Sequence, residues 1–322
     1  MRTLESILDQ QPNKTDDSVL QATIIEPLAF MMAYDEDTIL NKRDWLVANW
    51  KRNKFSFANG VLTLGKWPSP NGPRTDTRFL DWTNLTYEER KDFCKNVKEL
   101  RIQGNDGINI FVNIGKGGEN FPGKIIANGF KRTFLNIEES LENVYIKGSD
   151  VMELSPDADD DIHIKHIKDV QFECNSLILD YSNMSNSTHM SFKNVQAKCK
   201  SLLINWLYRQ DSPTQHELSR LKGLRLDGVK NIEFKMDWPA VDMRAEISKC
   251  WRSWDYTDET GKQRCVMEPW EKMGLPWFMK IAPKSCSTVT VNIADKIYTF
   301  TKTPPTPQAT AIEGWYASYS KS

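Results

Sequence analysis

The chain has 322 residues, 39% of them hydrophobic and 26% charged, which supplies a core and excludes wholesale disorder. Its 42 basic and 43 acidic residues nearly cancel, so no global field draws it to nucleic acid or anionic lipid. No apolar run reaches the roughly 18 residues of a membrane-spanning helix, and no phosphate-binding loop or zinc-binding helix motif is present.

Residues 1–50 read as a helical N-terminal segment. Leu4, Ile7 and Leu8 share one face of a short amphipathic stretch. Asp16 or Asp17 is placed to cap a second helix carrying Val19, Leu20, Ile24 and Ile25, which Pro27 is expected to interrupt. Residues 51–95 read as a hairpin and cap. Asn59-Gly60 lies between the apolar runs Phe55–Phe57 and Val61–Leu64, a hairpin signal. Asn84 to Lys95 then predicts a short helix.

Residues 96–238 carry an internal repeat. Ile167 to Tyr181 aligns with Phe192 to Trp206 at an offset of 25, with six of fifteen positions identical. A second pair matches Val97, Leu100, Ile102, Ile108 and Ile110 to Leu221, Leu224, Leu226, Ile232 and Phe234 at a constant offset of 124, close to five such periods. Further copies pass through Leu141, Val144 and Ile146, and through Ile125 and Ala127. A unit of this length cannot bury its apolar stripe alone, so neighbouring copies must stack.

Ile167, Val170, Phe172, Asn175 and Leu177 fill the spacing Leu-x-x-Leu-x-Leu-x-x-Asn-x-Leu with other apolar residues substituted. In this the chain resembles the leucine-rich-repeat family over about residues 95–240. The Asn position is held by Ser149, Lys200 and Val229 in other copies, which breaks the side-chain ladder of that family. The fold class implied is α+β: an irregular leucine-rich-repeat-like β-solenoid with a helical N-terminal segment and a Trp-rich C-terminal insert or cap.

Strand alternation fixes which side chains leave such a core. Val170, Phe172, Leu177, Val195, Leu202 and Leu224 are expected inside. Arg101, Tyr145, Gln171, Gln196 and Arg225 are expected in one outward column, flanked by Lys147, Glu173 and Lys198. This column is the expected face for a protein partner, since Arg and Tyr are enriched at binding hot spots. Beyond it, residues 239–283 form a Trp-rich insert with Trp251, Trp254, Trp270 and Trp277. Residues 284–322 read as a closing hairpin, Ser287 to Phe300, and an extended tail.

The chemistry that remains is sparse. Six cysteines without a Cys-x-x-Cys pair point to a reducing compartment and away from zinc or a disulfide framework. Cys174 and Cys199, one period apart, read as small packed residues. Asp157 and Asp159 to Asp161 lack calcium-loop spacing. His163 and His166 would face opposite sides of a strand. Asp180 and Asn205 hold equivalent positions, but hydrolysis of a glycan wants two carboxylates, and the partner here is an amide. No cofactor or metal is expected. The expected function is therefore that of a non-enzymatic structural or protein-interaction repeat protein, the alternative being a carbohydrate-binding or polysaccharide-cleaving β-solenoid. Thr3 to Asp9 resembles the short N-terminal helix of repeat proteins encoded by tailed phages, which implies a virion-associated or internal protein. With no signal-peptide h-region, the expectation is an intracellular (cytoplasmic) protein or one packaged in a virion.

Overall fold

The structure, a computed structural model, describes residues 21–32, 42–48, 55–65, 77–104, 107–114, 120–148, 150–156, 164–181, 189–206, 220–236, 241–257, 259–261, 263–270, 273–293, 296–307 and 309–321. The proposed faces of Leu4 to Leu8 and of Asp16 to Leu20, the acidic loop and His163 lie outside these residues.

A π-helical turn, Gln21–Ile25, runs into α1 (Glu26–Met32). Pro27 does not interrupt the helix as expected. It sits where the π-helical turn gives way to α1, a local change of helix type that accommodates its missing N–H. Ile24, Leu28, Met31 and Met32 are buried, and α2 (42–48) adds Leu46. β1 (Phe55–Ala58) and β2 (Val61–Leu64) form the expected antiparallel hairpin. Asn59 and Gly60 both take positive φ, 51° and 73°, the turn that matches strand twist. β3 (Thr77–Asp81) follows, then α3 (Tyr87–Asn96). The helix starts at a capping box in which Glu89 N–H donates to Thr86 Oγ1 at 3.3 Å and Thr86 N–H donates to Glu89 Oε2 at 2.8 Å. Its Phe93 packs edge-on against the buried Trp82 at 5.6 Å.

From there the chain is almost all strand. β4 (Glu99–Gln103), β5 (Asn109–Ile114), β6 (Lys124–Asn128) and β7 (Arg132–Ile137) alternate between two sheets. The following strands bring a third sheet into the cycle: β8 (Ser140–Glu142), β9 (Tyr145–Gly148) and β10 (Val151–Pro156). β11 (Ile164–Lys168), β12 (Gln171–Glu173) and β13 (Ser176–Asp180) repeat it, as do β14 (His189–Lys193), β15 (Val195–Lys198) and β16 (Ser201–Trp206). β17 (Leu224–Asp227) and β18 (Asn231–Met236) are the last pair. After α4 (Val241–Cys250) come β19 (Trp251–Thr257), β20 (Gln263–Pro269), β21 (Thr288–Ile293), β22 (Lys296–Thr301) and β23 (Tyr316–Lys321). β21 and β22 make the expected closing hairpin, and the tail adds β23 to it.

The sheets have 8, 12 and 3 strands, in the orders β1-β2-β4-β6-β9-β12-β15-β17, β19-β20-β23-β22-β21-β18-β16-β13-β10-β7-β5-β3 and β14-β11-β8. Pairing is parallel through the middle of each large sheet and antiparallel at the ends formed by β1–β2 and by β19 to β23. This overturns the fold class read from the sequence. The chain is mostly β, with large, mostly parallel mixed sheets that do not close into a solenoid, rather than an α+β leucine-rich-repeat-like array. The physical reason lies within each period, where the segments between the recognised strands are themselves strands. The turns also differ. Asn143, Asp169 and Asn194 take positive φ of 56°, 54° and 53°, and Asn194 Nδ2 donates to Asp169 Oδ1 at 2.6 Å. The left-handed turn ladder therefore lies six residues before the Asn175 position that the family pattern favoured.

The repeat offset itself sets strand register. Phe172 pairs with Ala197 and Leu177 with Leu202 at the offset of 25, whereas Val195 meets Leu224 at an offset of 29 because the turn Arg220–Gly223 lengthens the last copy. Val170, Phe172, Leu177, Val195 and Leu202 are buried as expected, whereas Leu224 is only partly so. They belong to one continuous apolar cluster extending from α1 to β23.

Candidate functional site

The outward face of the 8-stranded sheet gathers the expected partner residues in two rows. In the first, Glu99, Lys124, Tyr145, Gln171, Gln196 and Arg225 lie side by side on β4, β6, β9, β12, β15 and β17. In the second, Arg101 leads Ile126, Lys147, Glu173, Lys198 and Asp227. Arg101 thus stands beside the expected column and not in it. A slip of two residues leaves every side chain on its own face, so hydrophobic alternation cannot detect it.

Charges in these rows are paired along the sheet. Glu99 accepts from Arg101 at 2.5 Å and meets Lys124 at 3.2 Å. Glu173 bridges three strands, with Lys147 at 2.8 Å, the Tyr145 hydroxyl at 3.1 Å and Lys198 at 3.6 Å. The Lys147 hydrogen bond holds the Glu173 carboxyl below the usual carboxylate range, and Tyr145 and Lys198 reinforce it against the opposing effect of burial. Gln196 donates to Asp227, which also meets Arg225 at 3.8 Å. Most of this face is therefore an internally satisfied mesh.

Where the face ends, it opens. A cleft of about 330 Å³ is lined by Gln171, Gln196 and Arg225 from the expected column, together with Asp169, Asn194, Val195, Lys222 and Gly223. The 3-10 turn Arg220–Gly223 brings Lys222 to the cleft. It packs so closely that a Cβ on Gly223 would fall 1.8 Å from the Phe192 carbonyl oxygen. Lys222 and Arg225 are exposed. Lys222 is not among the residues expected to meet a partner, because the turn that carries it has no counterpart in earlier copies.

The 12-stranded sheet holds a second constellation. Asp180, paired in sequence with Asn205, accepts from Asn205 Nδ2 at 2.9 Å. It also has the carboxylate neighbour that the repeat alignment did not reveal: Glu153 on the adjacent β10 shares a hydrogen bond with it. Burial and the Asp180 charge push the Glu153 carboxyl up, against the opposing pull of Arg132 at 3.2 Å. Beside them, Phe79, Phe111 and Phe134 follow one another on β3, β5 and β7 with ring centroids 5.4 and 6.1 Å apart. Arg132 lies over Phe134 at 5.3 Å, and Asn136 Nδ2 donates to Asn113 Oδ1 at 3.0 Å in the next row.

Other candidates separate. Trp251 is buried against Phe300 at 5.1 Å, while Trp254 and Trp270 are exposed and Arg252 stacks on Trp270 at 3.2 Å. Trp277 is partly buried. Cys174 and Cys199 sit one period apart, and burial pushes their thiols up to about 12 and about 11, which disfavours the thiolate that a metal requires. Among the described residues, no cluster of three or more potential metal ligands forms, and no helix is long and apolar enough to cross a membrane. No protein-family model, curated protein or solved structure matches the chain.

Proposed function

We propose that this is a non-enzymatic protein-interaction protein whose partner lies on the outer face of the 8-stranded sheet. The observation that carries the reading is the register of Tyr145, Gln171, Gln196 and Arg225, one row that leads into the cleft beside Lys222. A broad, rigid sheet face with an open end suits recognition of another chain, because little ordering entropy remains to be lost on binding. Residence in a phage virion belongs to the same proposal and rests on Thr3 to Asp9, outside the described residues. The test is crosslinking in the native particle or cell, followed by mass spectrometry. Crosslinks on Tyr145, Lys147, Lys198 or Lys222 support the reading. Crosslinks confined to Thr3–Asp9 or to the segment around Trp254 and Trp270 overturn it.

A second reading, carbohydrate binding, is favoured by the Phe79, Phe111 and Phe134 row beside paired asparagines on the 12-stranded sheet. The successive rings stand 5.4 and 6.1 Å apart along the sheet and present a row of aromatic faces on which sugar rings can stack. Retardation in glycan-containing gels that is lost in Phe111→Ala and Phe134→Ala, with melting temperature held, would favour it over the first.

A further inference from the structure

We infer that the cleft at Lys222 and Arg225 receives an acidic side chain from an extended segment of a partner protein, which adds to β17 as the next strand of the 8-stranded sheet. The inference rests on the proposed interaction function and specifies the partner's chemistry.

Two independent observations carry it. The first is an open edge. β17 pairs with β15 on one side and has no described strand on the other, whereas the 12-stranded sheet continues past the equivalent β18 into β21. A strand with one unpaired edge presents N–H and C=O groups spaced to bind another extended chain. Its apolar side chains are also incompletely covered. Leu224 and Leu226 are half-buried, while Val195 and Ala197, their register partners on β15, are 2% and 0% exposed. One more strand would complete that burial.

The second observation is charge. The cleft, which extends from the start of β12 across β15 to β17, the edge strand, presents two cations at that strand, Lys222 and Arg225, against one carboxylate, Asp169, which accepts from Asn194. Asp227 is held by the Gln196 amide, and its pair with Arg225 is long at 3.8 Å. That geometry leaves guanidinium hydrogens for an incoming carboxylate, which Arg binds in a fork. Elsewhere on the face the cations are taken up by Glu99 and Glu173. Among the described residues, the unmatched positive charge is thus concentrated on the edge strand and the turn that leads into it.

The experiment uses the full-length chain and the synthetic peptide Thr-Glu-Val-Glu-Val-Thr, its Gln-for-Glu counterpart, and a version N-methylated at alternate residues, each followed by fluorescence anisotropy. The Glu peptide is expected to bind about tenfold or more tightly than the Gln peptide. Binding should weaken by a similar factor in Lys222→Ala with Arg225→Ala, fall with added salt, and disappear on N-methylation. Equal affinity for the Glu and Gln peptides, retention of binding by the N-methylated peptide, or no binding of the Glu peptide would each overturn it. Because the proposed function is tested by crosslinks to the native partner, its failure is distinguishable. Crosslinks on the sheet face without peptide binding remove only this inference, and crosslinks elsewhere remove the function.

Discussion

The Glu153 carboxyl on β10 hydrogen-bonds the Asp180 carboxyl on the neighbouring parallel strand β13. Burial pushes the Glu153 carboxyl up, and the neighbouring Asp180 charge adds to that shift. A carboxyl raised in the folded state carries stability that is fully present below its unfolded value, near 4.5, and is lost as pH rises through the folded one. Glu153→Gln removes that titration while keeping the shape. The melting temperature of the variant relative to the parent should therefore climb as pH is raised from 4 to 7. A difference that stays flat across this range would show that Glu153 is not raised by its surroundings.

Glu173 should behave with the opposite sign. Its folded value is lowered, first by the Lys147 hydrogen bond. Its contribution is present above the unfolded value and lost as pH falls through the folded one. Because Lys147 and Lys198 are largely exposed, 42% and 68% by side chain, solvent screening keeps the effect small, under about 1 kcal/mol. Glu173→Gln should lower the urea midpoint slightly at pH 7, less in high salt, and not at all near pH 3.

Phe172 is 1% exposed and pairs with Ala197 in the parallel stack. Phe172→Ala should cost about 3–5 kcal/mol, read from the urea midpoint at constant slope. Leu224→Ala should cost less than the about 2–5 kcal/mol of a fully buried leucine, because the edge strand leaves Leu224 partly open to solvent. Equal costs would mean that the edge is covered.

The contrast between these two residues shows what could be read from the sequence. The repeat at offset 25 correctly paired Leu177 with Leu202 and buried both, because apolar alternation is fixed by which face meets the core. It could not place Arg101, since its register error of two residues preserves that alternation. The added strand β11 was missed because Ile164–Lys168 buries a lysine, Lys165, where the pattern asks for an apolar residue. Lys165 Nζ donates to the Glu138 carbonyl, a tertiary contact that composition does not announce. Glu153 escaped for a related reason. It meets Asp180 across strands of different copies and at non-equivalent positions, so no internal alignment brings the two together.

The left-handed turns offer a further test. Asn194 sits at φ 53° and donates to Asp169. Asn194→Ala loses the hydrogen bond and keeps a Cβ in the left-handed region, which costs roughly 1–2 kcal/mol once no polar side chain offsets it. Asn194→Gly loses only the bond, about 0.5–1.5 kcal/mol. The glycine variant should therefore melt above the alanine variant, an order opposite to that expected inside a strand.

Gly223 makes the strictest demand. A Cβ there would fall 1.8 Å from the carbonyl oxygen and 2.4 Å from the carbonyl carbon of Phe192, and both belong to the backbone of β14, which cannot rotate aside. Gly223→Ala must push the turn Arg220–Gly223 away from β14, with a strain at least that of overpacking, about 1–3 kcal/mol. The turn carries Lys222 to the cleft, so the same displacement should weaken binding of the acidic peptide. Lys222→Ala removes the charge without touching the turn, and should weaken binding while leaving the melting temperature within about 1 °C of the parent, as for an ordinary surface substitution. Gly107 supplies the control. It takes φ 92°, and a Cβ added there would meet nothing within 4 Å, so Gly107→Ala should lower the melting temperature through backbone strain and leave peptide binding intact. If Gly223→Ala melts like the parent, the close approach to Phe192 does not exist, and Lys222 is not held where the cleft requires it.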